Sequence, residues 1–193
     1  MTAGNKKRIL QIFPYYFPPD VSDNGGGVKR AAVTLISGMA DSDFETYVVV
    51  PQSNPLYDAA FLTAGAQGVV DVGYPDHLVL ELARLREKLY LARYLRNIAS
   101  VANRIRGIIK EYSIDLVHSH ASSFLGAALA AKFSNVPSLV HVHEYGFRLS
   151  TLANRGYYAL VPRLADQIVT CAECGASFEL AKTSDGFELK PAQ

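Results

Sequence analysis

Residues 114–142 read IDLVHSHASSFLGAALAAKFSNVPSLVHV. A short β-branched run, Ile114–Val117, leads into polar residues. A stretch rich in alanine and glycine follows, Ala121–Phe133, and a second apolar run, Leu139–Val142, closes it. Short apolar runs of this length read as buried strands, and the small-residue stretch between them reads as a closely packed helix. Strand, helix, strand within about thirty residues is a βαβ unit, which joins parallel neighbours by a right-handed crossover.

The same alternation extends both ways. Upstream, Ile9–Phe13 is an apolar run ended by Pro14, Val28–Ala40 has helical spacing, Thr46–Val50 is a second strand stopped by Pro51, and Val69–Val72 is a short third. Between residues 78 and 109, apolar side chains recur every three or four positions: Leu78, Leu82, Leu85, Leu89, Ala92, Leu95, Ala99, Ala102, Ile105 and Ile109. That predicts one long amphipathic helix over 78–112. Downstream, Thr151–Ala165 reads as helix, Ile168–Cys171 as a sixth strand, and Gly175–Lys182 as a last helix before a polar tail. No internal repeat is read. The expected fold is α/β: a Rossmann-like three-layer α/β/α sandwich with a mostly parallel sheet, one domain over 1–193. Strands apolar on both faces agree with a sheet covered on both sides. In such sheets ligands bind beyond the carboxyl ends of the strands.

Composition narrows the function classes. The chain has 193 residues, 49% of them hydrophobic and 19% charged, with a formal net charge of +1. These values suit a folded domain with a full core and not a disordered chain. The charge balance exerts no general pull on nucleic acid. There is no run of eighteen apolar residues, and the apolar stretch after the basic start is too short for a signal peptide. Two cysteines, Cys171 and Cys174, fit a reducing compartment, and the expected location is cytoplasmic, with peripheral membrane contact as an addition.

The loop after the first strand reads FPYYFPPDVSDNGGGVKR. Gly25, Gly26 and Gly27 allow positive φ and close approach to a ligand, and the helix beyond aims its first amides at an anion. The spacing is neither GxGxxG nor a Walker A loop, so a dinucleotide or P-loop site is unsupported. Lys29 and Arg30 add positive charge there or face solvent. A nucleotide-sugar epimerase or dehydrogenase with a GxxGxxG loop and a Tyr-x3-Lys pair is disfavoured, since neither feature is present.

Four of the five histidines form two HxH pairs, His118/His120 and His141/His143, each at the carboxyl end of a strand. Residues i and i+2 of a strand share a face. Three readings are open: a metal site, histidines bonded to carbonyls in the core, and a polar substrate site. Imidazole suits Zn, Ni and Cu, but no carboxylate or cysteine spacing reinforces the first. The second suits His118 and His141, and the third suits His120 and His143, with Glu144 as an added acceptor. No metal is expected. Cys171 and Cys174 have CxxC spacing without a second pair and read as ordinary buried thiols.

Three segments together resemble glycosyltransferase family 4. KRILQIFPYYFPPD with GGGVKRAAVTLISGMA resembles its opening. IDLVHSH through VHVHEYGF resembles its middle, and RLADQIVTCAEC resembles the strand that follows. The resemblance implies a GT-B fold, two Rossmann-like domains across a cleft, of which this chain is the N-terminal, acceptor-side one. It implies a catalytic role beside the donor sugar for His143, and substrate binding by Gly26, Gly27, His120 and Glu173, to which the readings of the loop and the strand end add Gly25 and Glu144. Ala165-Asp166 is read with them as part of the cleft wall. It implies a nucleotide-sugar as co-substrate, no cofactor, a hydroxyl acceptor (glycan or lipid-linked) and a retaining outcome, with polysaccharide biosynthesis as the setting. Three features depart from the pattern. Ala172 stands where the family has Ser, and Asp43-Phe44-Glu45 replaces a Gly-His-Glu turn. The chain stops at Gln193 with no Glu-x7-Glu donor motif. It is therefore expected to be a fragment, an excised domain or a subunit, inactive without a donor-binding C-terminal domain or partner subunit. The alternative is a non-catalytic module that docks acceptor, partner or membrane. The helix over 78–112 supplies the motive for membrane docking, since Lys and Arg outnumber Glu and Tyr90, Leu91 and Tyr94 lie among them.

Overall fold

The computed structural model describes residues 6–13, 26–73, 88–120, 125–142, 160–170, 178–183 and 186–191. Six strands form one sheet: β1 (Lys7–Ile12), β2 (Phe44–Val50), β3 (Gly68–Asp71), β4 (Leu116–Ser119), β5 (Ser138–Val142) and β6 (Gln167–Thr170). Their order is β3-β2-β1-β4-β5-β6, and every neighbouring pair is parallel. The chain winds outward from β1 to β3, then returns to lay β4 on the other side of β1. The reversal makes the carboxyl ends of β1 and β4 the topological switch point, where open α/β sheets bind ligands.

Helices cover both faces. α1 (Gly26–Met39) and α2 (Pro55–Thr63) lie on one, α3 (Lys88–Glu111) and α4 (Leu125–Phe133) on the other. The alternation of side chains along each strand divides the core accordingly. Val48 and Val50 join Phe13, Ala32, Ile36, Tyr57 and Phe61 under α1 and α2. Val49 joins Leu10, Ile12, Val101, Ile105 and Ala130 under α3 and α4. The all-parallel six-stranded sheet between two helical layers is the Rossmann-like fold expected from the sequence.

α2 was not expected, yet its signals are present. Asn54 caps it, its Oδ1 accepting the Leu56 amide at 3.0 Å, and Pro55 opens the first turn. At its far end Gly65 is left-handed, with φ +110°, and its amide reaches the Leu62 carbonyl while Ala66 reaches Phe61. A Cβ on Gly65 would stand 2.8 Å from that of Ala40. α3 and α4 end by the same pairing of bonds, with Ser113 (φ 50°) and Asn135 (φ 53°) as the left-handed residues.

The long helix is present from Lys88 to Glu111, and 74–87 lie outside the described residues. Its buried row includes Ile98, Val101, Ala102, Ile105, Ile108 and Ile109, while Ala99 is exposed. Ala102, Ile105 and Ile109 thus lie on the expected face, which widens to take in Ile98, Val101 and Ile108, as the broad apolar stripe of a core-facing helix does. The segment expected as a last helix, Gly175–Lys182, is corrected. β7 (Phe178–Thr183) and β8 (Gly186–Pro191) form an antiparallel two-stranded sheet. In the sequence FEL recurs at 178–180 and 187–189 with period-two alternation on either side of Asp185-Gly186, a dipeptide typical of hairpins. The good helix formers Glu, Leu, Ala and Lys mask it. Of the helix expected over Thr151–Ala165, residues 160–164 are helical and 151–159 lie outside the described residues.

Candidate functional site

β1 reads KRILQI, and in its buried part, Ile9–Ile12, one polar residue, Gln11, is set among apolar ones. Gln11 is 1% exposed. In register it stands beside His118 of β4, and His118 stands beside Leu139 of β5. Cα partners in parallel strands project to the same face, so Gln11, His118, His120 and His141 share one side of the sheet at its carboxyl end. That face is split. Under α1 and α2 it is apolar, with Phe13, Val48 and Val50. Across β1, β4 and β5 it carries an amide and three imidazoles.

The backbone holds His120 in place after β4 formally ends, its amide donating to the Ile12 carbonyl at 3.0 Å. Its Nε2 lies 2.8 Å from Gln11 Oε1. A carbonyl oxygen has no proton to give, so Nε2 carries the hydrogen, and Nδ1 keeps the lone pair in the uncharged ring. The His118 ring stacks on His120 at 4.4 Å between centroids and on His141 at 5.6 Å; His120 and His141 are 5.9 Å apart. One nitrogen from each of the three lies within 4.8 Å of the others. His118 and His120 are buried and His141 is half-buried. The Gln11 Nε2 group is buried with no hydrogen-bond partner among the described residues. Burial of such a donor is costly unless something accepts from it, and here it lies on the histidine face.

Of the expected site residues, the structure brings His120 to the switch point and pairs it with Gln11, which the sequence reading did not single out. The available signal was a lone polar residue in a buried strand. Gly26 and Gly27 form the first turn of α1, so they adopt helical backbone and not the positive φ expected of them. Their amides belong to the group at a helix start that has no intrahelical partner. Gly25, His143, Glu144, Glu173, Cys171 and Cys174 lie outside the described residues. Lys29 turns inward: it is 8% exposed, with Nζ 4.2 Å from the centre of the Tyr57 ring, beside a groove of about 620 Å³ between α1 and α2. Arg30 is exposed.

Asp166 is displaced from its expected place in the cleft wall. It precedes β6, so it sits at the amino end of the sheet, where its Oδ2 accepts the Ser138 amide at 2.8 Å and the Ser138 hydroxyl at 3.1 Å. Its role is to fasten β5 to β6. Residues from Ile98 to Ile109 on the apolar side of α3 are spent on the core. Outward it presents Arg96, Arg106 and Lys110; the side chains of Tyr90, Leu91 and Tyr94 are outside those described. No helix of the described residues is long and apolar enough to cross a membrane.

A family model for Glycosyltransferase Family 4 matches residues 25–176. No curated protein matches the chain. Among solved structures, a glycosyltransferase from Rickettsia africae superposes with TM-score 0.57 at 18% identity, over 86% of this chain and 37% of that one. MurG of Acinetobacter baumannii gives 0.52 at 13%, over 86% and 41%. A UDP-GlcNAc 2-epimerase from Neisseria meningitidis, bound to UDP-GlcNAc, gives 0.50 at 15%, over 92% and 41%. At such identities the likeness is one of fold. Because a 2-epimerase shares it, the missing GxxGxxG loop does not exclude every epimerase, and the sheet alone does not separate the two activities. The chain spans about two fifths of the length of these structures.

Proposed function

Because the chain belongs to Glycosyltransferase Family 4, we propose that it forms the acceptor-side half of an enzyme that transfers a sugar from a nucleotide-sugar to a hydroxyl of a glycan or lipid-linked acceptor, with retention at the anomeric carbon. The facing, donor-binding half is supplied elsewhere, on the same polypeptide or on a partner. The observation that carries this reading is the placement of the Gln11–His120 pair at the switch point, at the same end of the sheet as the start of α1. In the transfer, the bond from the anomeric carbon to the diphosphate oxygen breaks and the leaving nucleoside diphosphate gains negative charge. The amides of Gly26 and Gly27 and the positive end of α1 oppose that charge. Imidazole nitrogens and the Gln11 amide offer donors and acceptors to sugar hydroxyls. His143, which follows β5 in the sequence, is proposed to act on the reacting sugar, and Glu144 and Glu173 to bind substrate. Family membership favours transfer over epimerisation.

Nucleoside diphosphate release from a panel of nucleotide-sugars, in the presence of glycan and lipid-linked acceptors, tests the division of labour. The 193-residue chain alone is expected to show no turnover, with acceptor binding by saturation-transfer NMR that weakens in His120→Ala. Full-rate transfer by the isolated chain, or acceptor binding indifferent to His120, overturns it.

A further inference from the structure

We propose that His118, His120 and His141 form a binding site for one Zn²⁺ ion, or a comparable divalent transition cation with a preference for imidazole. The proposal goes beyond the transfer reaction; a bound ion takes one nitrogen of each imidazole, so a sugar hydroxyl would then meet the ion's fourth position and the Gln11 amide in place of those nitrogens. Three observations converge. The parallel pairing of β4 with β5 brings histidines distant in sequence onto one face, with one nitrogen of each within 4.8 Å of the others. Among the described residues the cluster holds no thiol or carboxylate, and an all-imidazole set favours Zn, Cu or Ni over Mg or Ca. The third is the Gln11–His120 bond, at 2.8 Å. Metal-binding histidines characteristically donate their second ring N–H to an oxygen acceptor, which sets the tautomer and aims the other nitrogen. Gln11 Oε1 is such an acceptor, and it leaves the His120 lone pair on Nδ1.

The neighbouring Gln11 Nε2, buried and without a hydrogen-bond partner among the described residues, supplies a donor for the non-protein ligand that completes a tetrahedral set. The three rings stack, with interplanar angles of 28° and 13° about His118. Coordination requires the nitrogens, which lie within 4.8 Å of one another, to close to about 3.3 Å, the spacing set by Zn–N bonds of about 2.0–2.1 Å. The half-buried His141 is the side from which the ion enters.

The test is titration of the whole metal-stripped chain with Co²⁺, read by its visible absorption bands, followed by displacement with Zn²⁺. One equivalent is expected to bind at micromolar concentration and to raise the unfolding temperature. His118→Gln and His141→Gln are each expected to abolish the bands, and Gln11→Leu to weaken binding about tenfold, as loss of an outer partner does. Circular dichroism confirms that each variant folds. If the buried His118 variant does not fold, half-buried His141→Gln carries the test. Absence of the bands in the native chain, or bands that survive His141→Gln unchanged, overturns the site.

Discussion

Asp115 and Arg8 exchange two hydrogen bonds at the amino end of the sheet: the Arg8 amide donates to Asp115 Oδ2 at 2.9 Å, and the Asp115 amide donates to the Arg8 carbonyl at 2.8 Å. Asp166 and Ser138 repeat the exchange two strands away, at 2.8 and 3.1 Å. Each aspartate precedes its strand and binds it to the start of the neighbouring one. The Lys7 ammonium, 2.8 Å from Oδ1, and the Arg8 amide hold the Asp115 carboxyl below the ordinary value for aspartate.

A depressed carboxyl pKa contributes stability that is present above the unfolded-state value and is lost as pH falls through the folded one. Asp115→Asn is therefore expected to lower the unfolding midpoint at neutral pH. The gap to the native chain should close as pH drops below the ordinary carboxylate range. Thermal melts of both proteins from neutral to strongly acid pH check it, and a gap that stays constant across the range contradicts the assignment.

Asp166→Ala strips acceptors from the Ser138 amide and hydroxyl, and Ser138 is 3% exposed. Leaving a buried donor unpaired costs about 1–3 kcal/mol, the loss expected in urea unfolding. Because Asp166 is remote from the carboxyl end of the sheet, ligand binding by the folded variant is expected to match that of the native chain.

Gln11 and His120 are expected to be energetically coupled. A double-mutant cycle with Gln11→Ala and His120→Ala should return about 0.5–1.5 kcal/mol, the range of a buried hydrogen bond. Additive effects would mean that the 2.8 Å contact contributes nothing to stability.

The left-handed conformation of Ser113 gives a stabilising substitution. A non-glycine residue there carries a steric penalty that glycine lacks, offset in part by the greater freedom of glycine in the unfolded chain. Ser113→Gly is expected to raise stability by about 0.5–1 kcal/mol in chemical denaturation.

Any membrane contact through α3 in its described part rests on Arg96, Arg106 and Lys110, since its apolar row faces the core. Co-sedimentation is expected with vesicles containing anionic lipid at low salt and not with zwitterionic ones. Binding should fall steeply as salt screens the charges. Charge reversal at Arg96 and Lys110 should abolish it.

Much of this molecule was legible in the sequence. The strands around Ile9, Thr46, Val69, Ile114, Leu139 and Ile168 announce themselves by β-branched runs, and βαβ units admit few arrangements. α2 escaped because Leu56, Ala59, Ala60 and Leu62 spread apolar character around the helix and blur its one buried face, although Asn54-Pro55 marks its start. The β7–β8 hairpin escaped because its residues have high helix propensity, and only the repeated FEL spacing argues otherwise. At the site, the HxH pairs showed that four histidines crowd strand ends. Strand order decided which came together, and no local pattern contains that. Gln11 becomes informative only once β1 is known to lie beside β4.

The parallel sheet has a consequence for how this protein can change. Its two clamps and the Arg8–Glu45 ion pair sit where strands begin, and its imidazoles sit where strands finish. Gln11, His118 and His141 each lie three residues along from Arg8, Asp115 and Ser138, so substitutions aimed at recognition and those that touch the clamps fall toward opposite ends of the same strands. A laboratory evolution experiment confined to the finishing residues and the loops after them can therefore explore new ligands with the clamps intact, its stability cost confined to the buried Gln11, His118 and His120.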